Sequence, residues 1–245
     1  MILVIASPED TLATQFGSHC VEPIRRSSEA DLFSAPFSLE IDHHTVRGSL
    51  SVHGEKVSLA DLSAIFLRPS RTWWPGPEFA AQDQMFVYHE TIASWFTFFD
   101  CAACPVINRF GLGWWLQDHS YPMQLRCELA AILGVPASDC AQPPSAFTKL
   151  TPTGPDPEAR SVYLAGQLII GTAIVTTGHP LDIAIRSRMS AIREWQNRTG
   201  ISFCRLDFEN GAVPRLKSVE VFPLLDREPA RLIDRVAAAL MEEIR

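Results

Sequence analysis

Several absences narrow the field before any motif is weighed. No run of lysine and arginine is interleaved with aromatic residues, and the formal net charge is −7. Nucleic-acid binding leaves a basic footprint, so nucleic acid is not expected as a main partner. No apolar run approaches the ~20 residues of a membrane helix. The first residues, MILVIASPED, lack the basic n-region, longer apolar segment and small-residue cleavage site of a secretory signal. The six cysteines, at positions 20, 101, 104, 127, 140 and 204, are too few for a disulfide framework in 245 residues; a reducing, cytoplasmic setting is expected. There is no Ser/His/Asp signature, G-x-S-x-G elbow, Walker loop or G-x-G-x-x-G turn. The seven histidines, His43 and His44 included, show no ligand spacing with acids or cysteines.

What is present describes a globular chain. At 47% hydrophobic residues there is material for one large domain or two small ones. "ILVIA" reads as a buried strand, and "SPEDTLATQF" as a helix start with Ser7 at the N-cap. "FSLEID" and "TVRGSLSVHG" are strand-like. "SLADLSAIFLRPS" ends in an apolar strand running into Arg68-Pro69. "FAAQDQMFVYHETIASWFTFF" has the periodicity of a core helix. "CPVIN" is a short strand, and "YPMQLRCELAAILGVP" is a helix stopped by Gly134 and Pro136. Residues 140–160 hold five prolines and read as a linker or loop. Beyond it, "SVYLAGQLIIGTAIV" predicts a hairpin through Gly166, "SRMSAIREWQNRTG" a helix ending at Gly200, and "REPARLIDRVAAALMEEI" an amphipathic helix. The expected class is α/β in two halves divided near the proline-rich segment.

The hairpin "RLDFENGAVPRLKSVEVFPLL" carries the sharpest chemical question. Side chains alternate faces along a strand, so Asp207 and Glu220 share a face under any even-length loop. A tight Asn210-Gly211 turn places Pro214 opposite Asp207. A loop over "NGAVPR" places Ser218 there and makes Glu220 a diagonal neighbour at roughly 7–8 Å, a separation able to straddle a divalent cation. Two solvated acids on an exposed sheet face are the plainer alternative. Elsewhere, Arg68 and Arg71 stand where a buried strand meets a loop, ready to present guanidinium groups to a carboxylate or phosphate, with Trp73 and Trp74 available as pocket walls. The alternative there is a surface loop packed on the domain. Asp182, Arg186 and Arg188 place charge beside a strand, either as a binding edge or as an ion-paired surface. Cys101-x-x-Cys104 lies between a helix and a strand instead of opening a helix, and no second pair completes a zinc set. Two buried structural thiols are expected.

Taken in order, these segments resemble the ATP-grasp ligases that mature ribosomally made peptides, the microviridin or graspetide type, over most of the chain. "DLSAIFLRPS" resembles the Arg-ending strand of their pre-grasp domain. "CPVINRFGLGWWLQDHSYPMQLRCELAAILGVPAS" resembles their N-x-P … K-x-x-Q-L … V-P-x-T segment. "SVYLAGQLIIGTAIV" and "TGISFCRLDFENGAVPRLKSVEVFP" resemble the later hairpins, the second ending in L-E-V-N-P. The resemblance implies a pre-ATP-grasp-like domain over residues 1–118 and a reduced ATP-grasp-like half over 119–245, with mixed or antiparallel sheet and helices. It also implies Mg and ATP as cofactors and a peptide or small-molecule substrate. Asp207 and Glu220 match two of the metal ligands, whereas Phe222 stands at the third, an Asn, and a phenyl ring offers no oxygen to a hard cation. Tyr121 replaces a lysine of the pattern, and residues 140–160, with Lys149 their one lysine, stand where the nucleotide-clasping subdomain would be. The expectation is therefore a degenerate ATP-grasp-like accessory, non-catalytic toward ATP, that binds peptide or substrate through Arg68, Arg71, Trp73, Trp74, Arg186 and Arg188. It would act with a modification enzyme or as a homo-oligomer. The rivals are an active carboxylate–amine or carboxylate–hydroxyl ligase, another enzyme using the retained cleft, and a subunit completing a full-length partner.

Overall fold

The computed structural model describes residues 1–42, 46–68, 75–109, 120–137, 160–165, 168–171, 185–209, 215–221, 223 and 225–244. A parallel sheet of order β2-β1-β6-β7 is formed by β1 (Ile2–Ala6), β2 (Ile24–Ser27), β6 (Ala64–Arg68) and β7 (Val106–Ile107). Every residue of β1 and of β6 is buried, as expected of a parallel strand covered on both faces. Helix α2 (Glu29–Ser34), helix α3 (Ala81–Asp100) and an antiparallel sheet of β3 (Phe37–Ile41), β4 (Val46–Val52) and β5 (Glu55–Ser58) share a core with Leu3, Ile5, Ile65 and Leu67. The two-residue β4–β5 turn has both central residues left-handed, His53 at φ 50° and Gly54 at φ 81°, the geometry whose twist suits a tight hairpin.

The opposite face of the parallel sheet, Ile2, Val4, Ala6 and Phe66, packs with α1 (Thr11–Ser18) and α6 (Ala230–Glu243). Leu232, Ile233, Val236, Ala237 and Leu240 give α6 its buried stripe, at about 1.5–3 kcal/mol for each large aliphatic side chain. At the rim, Asp234 accepts from Gln15 at 2.7 Å and pairs with His19 at 2.9 Å. The last helix thus crosses back onto the sheet of the first half. Helix α1 begins later than the Pro8 pattern predicts: its N-cap is Asp10, not Ser7, because Asp10 Oδ1 receives the Ala13 N–H at 2.7 Å. Ser7 sits in the preceding turn.

The later residues build a second antiparallel sheet of order β11-β10-β8-β9, from β8 (Arg160–Ala165), β9 (Leu168–Gly171), β10 (Phe203–Glu209) and β11 (Arg215–Glu220). Cys204, Leu206 and Phe208 alternate onto one face, in a core shared with α4 (Ser120–Leu133) and α5 (Met189–Thr199). The mixed α/β class expected from the sequence is the class observed. The closures at Gly134 and Gly200 also hold: both are left-handed, at φ 69° and 72°.

Two residues at the C-terminal ends of the parallel strands fasten the sheets together. Asn108, after β7, is wholly buried and left-handed at φ 58°, a conformation Asn tolerates better than most residues. Its amide donates to the Val221 carbonyl at 2.8 Å and accepts from the Phe203 N–H at 2.7 Å. Arg68, ending β6, donates from Nη2 to the Pro223 carbonyl at 3.0 Å. Gly200 closes against the same joint: a Cβ there would lie 1.5 Å from the Arg109 carbonyl oxygen, a backbone atom and not the far end of a flexible side chain. Gly200→Ala therefore combines a left-handed φ with a collision. It is expected to lower the unfolding free energy in urea by about 3 kcal/mol or more; a loss below about 1 kcal/mol would show that the joint is not packed this way.

Candidate functional site

The hairpin of β10 and β11 settles its register around the acids. Asp207 pairs with Ser218 and Arg205 with Glu220, after which a bulge at Lys217 shifts the pairing to Phe208–Leu216 and Glu209–Arg215. The longer-loop reading is the one observed next to Asp207. Glu220 is the diagonal neighbour of Asp207 on one face, and the bulge shortens the loop to residues 210–214.

The residue that decides the chemistry is Arg205, two before Asp207 and therefore on the same face. Its Nε lies 3.1 Å from Asp207 Oδ1 and 3.3 Å from Oδ2, and its Nη2 lies 2.6 Å from Glu220 Oε2. The Ser218 hydroxyl donates to Asp207 Oδ2 at 2.7 Å. Arg205 and Asp207 are both buried, while the Glu220 side chain keeps 37% of its surface exposed. The alternative of two solvated acids does not describe this face, since Asp207 is enclosed. One guanidinium spans both carboxylates, and the three charges sum to −1 instead of −2. Strand parity applied to Arg205 was the available signal, and the family pattern drew attention only to the acids.

These residues fit a divalent cation poorly as they stand. Magnesium asks for near-octahedral oxygen coordination, with one or two carboxylates from the protein and the rest from water or phosphate. Both acids already hold a cation at ion-pair distance, and a metal between them would be set against a buried guanidinium. Among the described residues no group of three or more His, Cys, Asp or Glu side chains is placed to hold a metal ion.

Arg68 reaches the same hairpin at its open end, against Phe203, which by alternation lies on the same face of β10 as Arg205. Its side chain is 2% exposed, with Nε 2.7 Å from Asp10 Oδ2 and the guanidinium carbon 5.9 Å from the Phe203 ring centre. Asp10 thus caps α1 and neutralises Arg68 at once. Nη1 of Arg68 is buried without a hydrogen-bond partner. Arg186 and Arg188 are exposed in the turn entering α5, Arg188 with its Nη2 beside Gly134 at the end of α4. Arg71, Trp73, Trp74, Phe222 and Asp182 lie outside the described residues, as does 138–159, most of the proline-rich segment. Cys101 and Cys104 are each only partly buried, not enclosed as expected; Cys101 caps the C-terminal end of α3, and desolvation pushes the Cys104 thiol up. Neither the helix end nor the burial favours a reactive thiolate. Cys204, on the core-facing side of β10, is pushed far higher by the same cause.

The fold on which these groups sit is that of ATP-grasp ligases. Among similar solved structures, the macrocyclase MdnC from Microcystis aeruginosa MRC, bound with precursor peptide MdnA, superposes with a TM-score of 0.66 at 12% identity over 97% of each chain. A RiPP-associated ATP-grasp ligase from Chryseobacterium gregarium, in complex with ADP and a leader and core peptide, gives 0.65 at 11% identity over 99% of this chain and 96% of that one. The ATP-grasp ligase PsnB, complexed with a phosphomimetic variant of minimal precursor, Mg and ADP, gives 0.60 at 14% over 100% and 98%. No family profile matches the sequence, and no curated protein matches it.

Arg205→Met leaves two carboxylates facing each other without their cation. Breaking a buried pair costs about 3–5 kcal/mol, and the exposure of Glu220 reduces that, so a loss of about 2–3 kcal/mol is expected in chemical denaturation. In a double-mutant cycle with Asp207→Asn the coupling is expected to be at least about 1 kcal/mol. Additive effects would mean that the guanidinium does not serve Asp207.

Proposed function

We propose that this chain is a cytoplasmic accessory protein of peptide or natural-product modification, with an ATP-grasp fold that holds substrate and does not turn over ATP. The observation that carries this reading is the guanidinium of Arg205 between Asp207 and Glu220. Nucleotide-dependent acyl phosphate formation relies on metal bridging the phosphates to acidic residues. Here the acids already carry a counter-charge, and Phe222 offers no oxygen to close a coordination sphere. The peptide context is supported by the similar structures that contain leader, core or precursor peptides.

In this reading residues 1–118 form the pre-ATP-grasp-like domain and 119–245 the reduced grasp half. Arg71, Arg186 and Arg188, with the unspent edge of Arg68, receive an acidic group of the bound chain, and Trp73 and Trp74 wall it. The partner is a modification enzyme or a second copy. A second reading has one observation in its favour: the alignment runs over 96–98% of the similar ligases cited above. The cleft as a whole is then retained, and an active ligase completed by a partner subunit becomes the rival.

Titration calorimetry with Mg-ATP separates them. The chain alone is expected to give no binding tighter than about 1 mM. Micromolar binding that disappears in Asp207→Ala would overturn the accessory reading. Binding that appears only with a co-expressed ligase would favour the completing subunit.

A further inference from the structure

Between β7, the C-terminal end of α5 and the last turn of α6 lies an open cleft of about 290 Å³. It shares no residue with the Arg205 cluster. Its polar lining comes from Arg109, Arg193, Gln196, Asn197, Ser202 and Glu243. Three of these are presented by one face of α5, since positions 193, 196 and 197 are helical neighbours. Gly200, lining the same cleft, ends that face and lets the helix close onto Arg109.

The hydrogen bonds in this cleft are incomplete. Gln196 is 3% exposed; its Nε2 donates to the Ser202 carbonyl at 3.3 Å, and its Oε1 is buried without a partner. Turning the amide over would set two oxygens against each other, so the donor is needed where it is and the acceptor is the atom left over. Buried acceptors are seldom left unmet in native proteins. Arg193 donates from Nη2 to Glu243 Oε1 at 2.6 Å across a half-buried pair. That bond uses one of five N–H groups and fixes the side chain in place. Arg109 adds little donor capacity, because its guanidinium is spent on the carbonyls of Asp100, Ala102 and Cys104 at the end of α3; its charge is partly met by the Asp100 carboxylate 3.8 Å away.

We propose that this cleft binds a small carboxylate that also carries an N–H or O–H donor. The carboxylate pairs with the unspent edge of Arg193, the fork geometry guanidinium groups offer to carboxylates. The donor satisfies Gln196 Oε1, and Asn197 at the mouth offers a second amide. The volume is at the small end for ligand sites and suits an acylated amino acid or a molecule of that size. This site is separate from the peptide-holding face proposed above and does not depend on it.

The test is a chemical-shift titration of the full chain, ¹⁵N-labelled, with N-acetylglycine to about 20 mM, a range that reaches millimolar affinities. Acetate, which lacks the donor, and N-methylacetamide, which lacks the charge, are the comparisons. The expected result is saturable shifts at the amides of Arg193, Gln196 and Asn197 with N-acetylglycine. Each comparison compound should bind at least tenfold more weakly. Arg193→Met, a change at a partly exposed position, should weaken N-acetylglycine at least tenfold while the rest of the spectrum stays native. Absence of saturable shifts at these amides overturns the proposal. So does equal response to acetate or N-methylacetamide, or unchanged affinity in Arg193→Met.

Discussion

The hairpin depends on one constraint: two carboxylates placed on a shared, mostly enclosed face need a positive charge between them. Burial of ionised acids is tolerated only with pairing and hydrogen bonds. Arg205 meets that need within the same strand, with contacts of 2.6 Å to Glu220 and 3.1 Å to Asp207, and Ser218 adds a hydroxyl on Asp207. The cation is therefore covalently part of the chain. An exchangeable metal would have to displace or tolerate it. Charge neutralisation by metal is central to phosphoryl transfer, and the proposed accessory role rests on this arrangement.

The cluster is held in position by the joint between sheets. Asn108 clamps Phe203 at the start of β10 and Val221 just beyond β11, both at the open end of the hairpin next to the Arg205–Glu220 pair. Arg68 fixes Pro223 a little further on and is itself held by Asp10. The C-terminal ends of β6 and β7 thus grip both strands of the hairpin near the acids. Gly200 permits the close approach of α5 that shapes the cleft on the other side of Asn108.

Much of the element order was legible in the sequence, because periodicity and stop signals are local. The buried strand "ILVIA" and the helix closures at Gly134 and Gly200 follow from such rules, whereas Ser218 opposite Asp207 was one of two registers that strand parity left open. The start of α1 did not: Ser7 and Asp10 are both good caps, and Asp10 is selected by a distant partner, Arg68, that no local pattern names. Helix α2 and strand β5 are too short to announce themselves, and the bulge at Lys217 has no sequence mark. Arg205 was readable by parity but is an ordinary strand residue until its neighbours are known. Residues 71–74 and Phe222 lie outside the described residues, so the tryptophan wall stays an expectation. The packing of α6 against α1 joins the two ends of the chain, and separation in sequence hides it.

The central claim is that Arg205 occupies the position a divalent ion would need. Electron paramagnetic resonance of Mn²⁺, used as a stand-in for Mg²⁺, measures this directly. The account predicts no site-bound Mn²⁺ at sub-millimolar concentration in the unaltered chain and the appearance of one bound ion in Arg205→Met, lost again when Asp207→Asn is added. A bound Mn²⁺ in the unaltered chain that Asp207→Asn removes would contradict it.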